Sequence, residues 1–264
     1  MKIAIIGYGK MGHAIERIAL KRGHEIVSII DTHNLDEMEG EAFRSARVAI
    51  EFTTPTTAAA NVERAARQGV SVVCGSTGWY DALPQVARVI EQTGTALLAA
   101  SNFSIGVHVF NNISRRLAQI MNRLPQYTPS MNETHHIHKL DHPSGTALTI
   151  AEGVISELDR LNGWADTGVI WEDAPEAERK AQEAEARRLE SEVPSDRMAV
   201  TTYRRGEVPG IHEVKWESPV DEITLRHSAK SRDGFALGAV MAAEWLAGKK
   251  GVYSISQMMD SLLA

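Results

Sequence analysis

Lys2-Ile-Ala-Ile-Ile6 runs directly into Gly7-Tyr-Gly-Lys-Met-Gly12, and these eleven residues decide the fold. The apolar, β-branched run reads as a strand buried on both faces, as in a parallel sheet. The second part is a complete G-x-G-x-x-G. Its first glycine permits a tight turn and its second lets a pyrophosphate approach the backbone. Its third lets helix pack on strand, with the helix N-terminus turned to the phosphates. Ile15, Ile18 and Ala19 follow at helical spacing, with Gly23 as the predicted C-cap. Glu25-Ile-Val-Ser-Ile-Ile30 is the second strand and ends in Asp31. Asp31 stands 19 residues past Gly12, where an acid is suited to bind ribose hydroxyls. A bare glycine motif is weak; one flanked by two strands and the acid predicts dinucleotide binding. Thr32, His33 and Asn34 bring no Arg or Lys for a 2′-phosphate, so NADH is expected to be preferred, with NADPH possible.

Outward from this unit the alternation continues. Val48-Ala-Ile-Glu-Phe52 is a strand ending in Thr53-Thr-Pro55, and Thr56 is placed to cap a helix around Ala58 to Ala66. Val70-Ser-Val-Val73 leads into Cys74-Gly-Ser-Thr-Gly78, a helix spans Leu83 to Glu91, and Thr95 to Ala100 is a fifth strand. Ligands of open α/β sheets sit at the carboxyl ends of strands. The Phe52-Thr53 and Gly75-Ser76-Thr77 loops are therefore read as the floor of a nicotinamide pocket, and Ser101 to Gly106 as the crossing to a second domain.

The 264 residues are 43% hydrophobic with a net charge of −6, which argues against bulk electrostatic binding to nucleic acid or anionic lipid. Cys74 is the single cysteine, so no internal disulfide or multi-thiolate metal site is available, and it reads as a small buried hydrophobe. The apolar start is too short for a signal-peptide core and no run has membrane-spanning length. The expectation is a cytoplasmic protein.

In the second half, Val107 to Leu124 reads as an amphipathic helix with Val109, Ile113, Leu117, Ile120 and Met121 on one face. Pro129 to Lys139 reads as a strand, with His135 and Lys139 pointing one way and His136 and His138 the other. It enters Glu133-Thr-His-His-Ile-His-Lys-Leu-Asp-His-Pro-Ser-Gly-Thr-Ala147, an unusual density of titratable groups. Ala147, Ile150, Ala151, Val154, Ile155 and Leu158 then form a helical stripe, which puts Ser144, Gly145 and Thr146 at a helix N-terminus suited to a carboxylate or phosphate. Glu172 to Asp196 reads as a solvated charged helix with Glu176/Lys180 and Glu183/Arg187 at i,i+4. Met198 to Tyr203, Gly210 to Trp216 and Glu222 to Ala229 complete a mostly antiparallel sheet of about four strands. A last helix over Ala236 to Ala247 is expected to pack back on the first domain, and Tyr253 to Leu263 to form a short helix. The fold class is therefore α/β: a Rossmann-type parallel-sheet domain (1–106 with 232–264) and an α+β domain (107–231) with a mostly antiparallel sheet.

Three readings of the histidine stretch compete. His and Lys suit protonation of the centre that hydride transfer creates, and His135 with Lys139 would also attract an anionic substrate. His136-x-His138 with Asp141 or His142 has zinc-ligand types, but a central lysine repels a cation. Histidines satisfied at a polar sheet edge are the structural alternative.

The stretch Glu133 to Ala147 closely resembles the signature of the bacterial dihydrodipicolinate reductase family. Gly7 to Gly12, Phe52-Thr53 with Pro55, Gly75 to Gly78, Asn102 to Val107, Gly210-Ile-His212 and Ser231-Arg232 with Phe235-Ala236 match in order, so the resemblance spans essentially the whole chain. It implies His135 as proton donor with Lys139 as partner, and a small dicarboxylate substrate held by His136, Ser144, Gly145 and Thr146. It implies cofactor contacts at Gly7, Tyr8, Gly9, Lys10, Met11, Gly12, Asp31, Gly75, Ser76, Thr77, Ser101, Asn102 and Phe103. Phe52, Thr53, Ala100 and Arg232 are expected to complete the cofactor site, and no metal is expected. The family reduces the cyclic precursor of tetrahydrodipicolinate in the diaminopimelate and lysine pathway with NADH or NADPH. It is usually a homotetramer built through the sheet domain. His142 departs from the family's usual alanine, and Thr32 and His33 replace a basic residue that some members carry. A different amino-acid or sugar dehydrogenase of the same plan, or a nucleotide-sensing regulator that lost catalysis, are the competing assignments.

Overall fold

The computed structural model describes residues 1–263. Contacts divide the chain into two compact units, Met1–Ile105 with the residues from Arg232 onward, and Gly106–Ser231.

The first unit opens with β1 (Lys2–Ile6), α1 (Lys10–Lys21), β2 (Glu25–Ile30), α2 (Glu41–Arg44), β3 (Val48–Glu51), α3 (Ala58–Arg67), β4 (Ser71–Cys74), α4 (Leu83–Thr93) and β5 (Ala96–Ala99). The second comprises α5 (Ile105–Met121), β6 (Thr128–His135), α6 (Gly145–Ile155), β7 (Gly163–Trp171), α7 (Glu176–Glu192), β8 (Arg197–Arg204), β9 (Ile211–Glu217) and β10 (Glu222–Ser228). The chain then returns to the first unit with α8 (Asp233–Leu246), β11 (Gly251–Tyr253) and α9 (Ile255–Leu263).

The first sheet is parallel throughout, in the order β11-β5-β4-β3-β1-β2. Burial on both faces explains its near-continuous apolar strands. Ile3 and Ile5 face the layer that contains Ile15, Ala19, Ala239, Val240 and Met258. Ala4 and Ile6 face the layer that contains Phe43, Val62, Ala65, Val86 and Ile90. The strand order reverses at β1, between β2 and β3, and that is where a doubly wound sheet opens a crevice for a ligand. α1 ends as expected near Gly23 (φ +81): His24 N–H reaches Ala19 O and Gly23 N–H reaches Leu20 O, the paired bonds of a Schellman cap. The α3 cap is Thr57 rather than Thr56. α8 packs on α1 within the first unit, as expected. A Cβ at Gly238 would collide with the Phe103 carbonyl, so only glycine allows that approach. β11 is a further edge strand in a stretch that the sequence left unassigned, apart from Tyr253, which was expected to begin the final helix.

The second sheet has five strands in the order β10-β9-β6-β8-β7. It is mixed rather than mostly antiparallel: β10-β9 and β9-β6 are antiparallel, while β6-β8 and β8-β7 are parallel. The difference comes from β7, which the sequence reading missed. Gly163, Gly168 and a register shift between Asp166 and Val169 break its alternation. The parallel pairs follow because α6 and α7 act as crossovers. α5 and α6 cover one face through Phe110, Ala118, Met121, Ile150, Ala151 and Val154, packed on Met131, Val200, Val214 and Trp216. The buried face of α5 carries Val107, Phe110, Ser114, Ala118 and Met121, while Ile113 and Ile120 stay exposed. The buried positions include small Ser114 and Ala118, which a hydrophobicity count ranks below isoleucine. α7 is the expected charged helix with Ala186 as its buried residue. Glu176 pairs with Lys180, but Glu183 pairs with Arg179 rather than Arg187.

Candidate active site

In the first unit the glycine motif forms the β1–α1 turn. Gly7 has φ +92, and a Cβ there would strike the Phe52 carbonyl; a Cβ on Gly12 would strike the Gly7 carbonyl. Gly9, the N-cap of α1, has nothing within 4 Å of its Cβ position and no side-chain cap. The N–H groups of Lys10, Met11 and Gly12 open that helix and have no intrahelical acceptor. Gly7 N–H donates to Ile30 O at 2.8 Å, which sets Asp31 beside the turn. Asp31 Oδ1 accepts Thr32 N–H at 2.8 Å, and Asp31 makes no ion pair among the described residues. Tyr8 donates its hydroxyl to Glu16 and tilts against His13.

Glu51, a residue the sequence reading passed over, organises the neighbouring strand ends. It is fully buried at the end of β3 and accepts the Thr53 N–H at 3.1 Å, the Thr53 hydroxyl and the Cys74 thiol. Burial first, then the Glu51 carboxylate, pushes the Cys74 thiol up, so it is inert, as a small buried hydrophobe should be. Thr53 N–H also reaches Ser76 Oγ at 2.8 Å, and a Cβ on Gly75 would collide with the Phe52 ring. The Phe52-Thr53 and Gly75-Ser76 loops are thus one assembly, with Thr77 exposed beside them. Ala100 N–H bonds Cys74 O, Asn102 Oδ1 accepts Ser104 N–H, and the Phe103 ring is core rather than surface. Ser101 and Arg232 are exposed. A cradle shaped by glycines, over an uncapped helix start and beside a carboxylate, fits a dinucleotide.

In the second unit β6 alternates strictly: Pro129, Met131, Glu133 and His135 are buried. Glu133 is 1% exposed and His135 8%. Glu133 Oε2 lies 3.2 Å from His135 Nδ1 and 3.9 Å from His212 Nε2. Glu133 Oε1 accepts the Ser144 N–H at 2.9 Å and the Thr202 hydroxyl at 3.1 Å. Burial alone would push this carboxyl up, but hydrogen bonds from His135 and Ser144 hold it down, to about 2. His212 meets the His135 ring edge-on at 5.3 Å, and burial, then the neighbouring His135, pushes it down to about 3. Gly210 lies against His135: a Cβ there would come within 3.1 Å of His135 Nε2.

The chain leaves the sheet at His135, not at Lys139, and turns so that Lys139 N–H bonds His136 O. The buried Arg204 holds this turn. Its guanidinium donates to the carbonyls of Lys139 (3.1 Å), Asp141 (2.8 Å) and Tyr203 (3.1 Å). Lys139 Nζ contacts both Asp141 oxygens, at 2.7 and 2.9 Å, and this bond holds Asp141 below the ordinary carboxylate range. His138 turns to Glu207, and His142 to Asp166 on β7 at 3.0 Å. Ser144 is the N-cap of α6 and accepts Ala147 N–H, so its hydroxyl is engaged in the cap; Gly145 has nothing within 4 Å of its Cβ position. Among the described residues the metal-ligand types that converge are Glu133, His135 and His212, not His136 and His138 with Asp141 or His142.

Glu133 and Arg204 were not singled out from sequence. Glu133-x-His135 at period two was a readable signal; the burial of Arg204 was not.

Family models described as dihydrodipicolinate reductase N-terminus and C-terminus match residues 1–103 and 106–259. The chain belongs to the dihydrodipicolinate reductase family. It is an enzyme, an oxidoreductase. A 4-hydroxy-tetrahydrodipicolinate reductase of Christiangramia forsetii is 37% identical, with 99% of each chain covered. Another from Archaeoglobus fulgidus is 32% identical, over 98% of this chain and 100% of its own. A dipicolinate-bound dihydrodipicolinate reductase from Paenisporosarcina sp. TG-14 shares the fold, with a TM-score of 0.73 at 19% identity over 96% of this chain and 97% of that one. The dihydrodipicolinate reductase fold accounts for both units, the Rossmann-like sheet and the second mixed sheet. No helix among the described residues is long and apolar enough to cross a membrane.

Proposed function

We propose that this family member reduces the cyclic 4-hydroxy-tetrahydrodipicolinate (dihydrodipicolinate) of the diaminopimelate and lysine pathway to tetrahydrodipicolinate, in the cytoplasm. The observation that carries the reading is His135, a buried imidazole against the ionised Glu133 with its Nε2 edge against Gly210. When bound, NADH or NADPH supplies the hydride. Gly7 to Gly12 hold its pyrophosphate, Asp31 its ribose, and Phe52, Thr53, Gly75 to Thr77, Ala100 to Phe103 and Arg232 the remainder. Asp31 Oδ1 is taken by Thr32 N–H, so Oδ2 would be the oxygen to accept the ribose hydroxyls, which favours NADH.

His135 Nε2 donates a proton to the substrate as charge builds there. Lys139 exchanges the exposed Asp141 for a substrate carboxylate, so the lysine keeps a counter-charge while Asp141 turns to solvent. His136 and the α6 N-terminus at Ser144, Gly145 and Thr146 seat the carboxylates through helix N–H groups and the end of the helix dipole. Residues 1–106 with 232–264 act as the cofactor domain and 107–231 as the substrate and assembly domain. The edge strand β10, exposed along most of its length, and its sheet support assembly as a homotetramer. No metal, nucleic acid or membrane partner is involved.

The variant Lys139→Ala tests this. It is expected to lose turnover, by about 100-fold or more, while binding NADH as tightly as the parent. Unchanged turnover would contradict the assigned role, and a protein whose response is nucleotide binding alone would show no loss.

A further inference from the structure

We propose that Glu133 is a positioning residue that decides which nitrogen of His135 exchanges the proton. The inference rests on the reading of His135 as proton donor. β6 sets both side chains on one face two residues apart, with the carboxylate 3.2 Å from His135 Nδ1. Among the described residues Glu133 Oε2 and His135 Nδ1 are each buried without a completed hydrogen bond, and at 3.2 Å each faces the other. The second carboxylate oxygen is fixed by Ser144 N–H and the Thr202 hydroxyl, so the group cannot rotate away. An ionised carboxylate accepts and cannot donate. A neutral His135 facing it therefore carries its hydrogen on Nδ1. Nε2 is left as the atom that gains and loses a proton, and the same nitrogen borders Gly210, where a Cβ would stand 3.1 Å away and cover it.

The other charged and titratable neighbours do not impose this orientation. On β9, His212 lies opposite Glu133 in register, but its Nε2 is 3.9 Å from the carboxylate, beyond hydrogen-bond reach. On β8, Arg204 lies opposite His135, and its guanidinium is spent on three carbonyls. Lys139 in the turn is held by Asp141, and His227 on β10 lies beyond His212 in the ladder. Glu133 also anchors Ser144, the cap of α6, so one carboxylate ties the proton donor to the helix end proposed to seat the substrate.

The test is a long-range nitrogen–proton NMR spectrum of the His135 ring, assigned with His135→Gln, at a pH where the ring is neutral. The wild-type protein is expected to show the Nδ1–H tautomer. In Glu133→Gln the population should move toward Nε2–H. The kcat should fall by roughly 100-fold or more while the KM for NADH stays unchanged. Glu133→Asp should keep the Nδ1–H form and recover part of kcat. An Nε2–H tautomer in the wild-type protein would overturn the proposal whether or not any variant folds, and so would a Glu133→Gln enzyme within about threefold of wild-type kcat. Absence of reductase turnover in the wild type would retire the assigned reaction instead, and the wild-type tautomer would still decide the positioning claim.

Discussion

Glu133 and His212 face each other across the β6–β9 ladder in the same register, both buried, with Glu133 Oε2 and His212 Nε2 3.9 Å apart. Burial disfavours the charged form of each. For Glu133 it is outweighed by the hydrogen bonds of His135 and Ser144, and the carboxyl sits at about 2 instead of 4.5. For His212 burial prevails, and the ring sits at about 3 instead of 6.5.

Both groups bind a proton more readily in the unfolded chain, so both make stability fall as pH falls. The His212 contribution is lost from its ordinary value of 6.5 down toward 3, and that of Glu133 from 4.5 down toward 2. Each is worth at most a few kcal/mol. Urea midpoints measured against pH should show a steep acid limb. His212→Asn should flatten its upper part and Glu133→Gln its lower part. Curves parallel to wild type would contradict the assignment.

The glycine turn separates folding from binding. Gly12→Ala drives a Cβ into the Gly7 carbonyl and should lower the melting temperature by several degrees. Gly9→Ala meets nothing within 4 Å and keeps an ordinary φ of −83, so it should melt like wild type. In the proposed function its methyl would stand where the pyrophosphate approaches, and NADH affinity by calorimetry should drop about 10-fold or more. Equal effects of the two substitutions would argue against a phosphate cradle.

In the proposed function Asp31 sets the choice of cofactor. Asp31→Ser combined with His33→Arg removes the carboxylate and adds a cation, and should shift the NADPH/NADH ratio of kcat/KM upward by about 10-fold or more. An unchanged ratio would place the ribose elsewhere.

Arg204 is 1% exposed and bonds three carbonyls, two of them on the turn that carries Lys139 and Asp141. Arg204→Met leaves those acceptors without a donor. It should cost about 2–4 kcal/mol in urea unfolding and raise the substrate KM more than the NADH KM. Arg204→Lys should recover only part, because an ammonium cannot reproduce the planar fork.

The features legible in sequence were those with local causes. Gly7 and Gly12 are readable because turn geometry and close approach admit glycine alone, and Asp31 because it ends the strand beside them. Ser144 is readable as a helix start because its cap bond spans only three residues. What escaped depends on register between distant segments. β7 escaped because Gly168 and a register shift interrupt its alternation, and with it went the mixed character of the second sheet. Arg204 reads as a surface residue until the carbonyls of Lys139 and Asp141 are brought to it from 65 and 63 residues away. His212 stands in a segment that matches the family, but its place beside Glu133 is invisible until the antiparallel ladder sets the two opposite each other. Ile113 and Ile120 point away from the buried face of α5, which includes small Ser114 and Ala118 that hydrophobicity alone does not pick out.

The most direct measurement is oxidation of NADH and of NADPH by the purified protein, followed by absorbance, with substrate generated in the cuvette from pyruvate and aspartate semialdehyde by the upstream synthase. The account predicts rapid oxidation that depends on the synthase, is faster with NADH, and disappears in His135→Gln. No oxidation with either cofactor, from folded protein that binds the nucleotide, would contradict it.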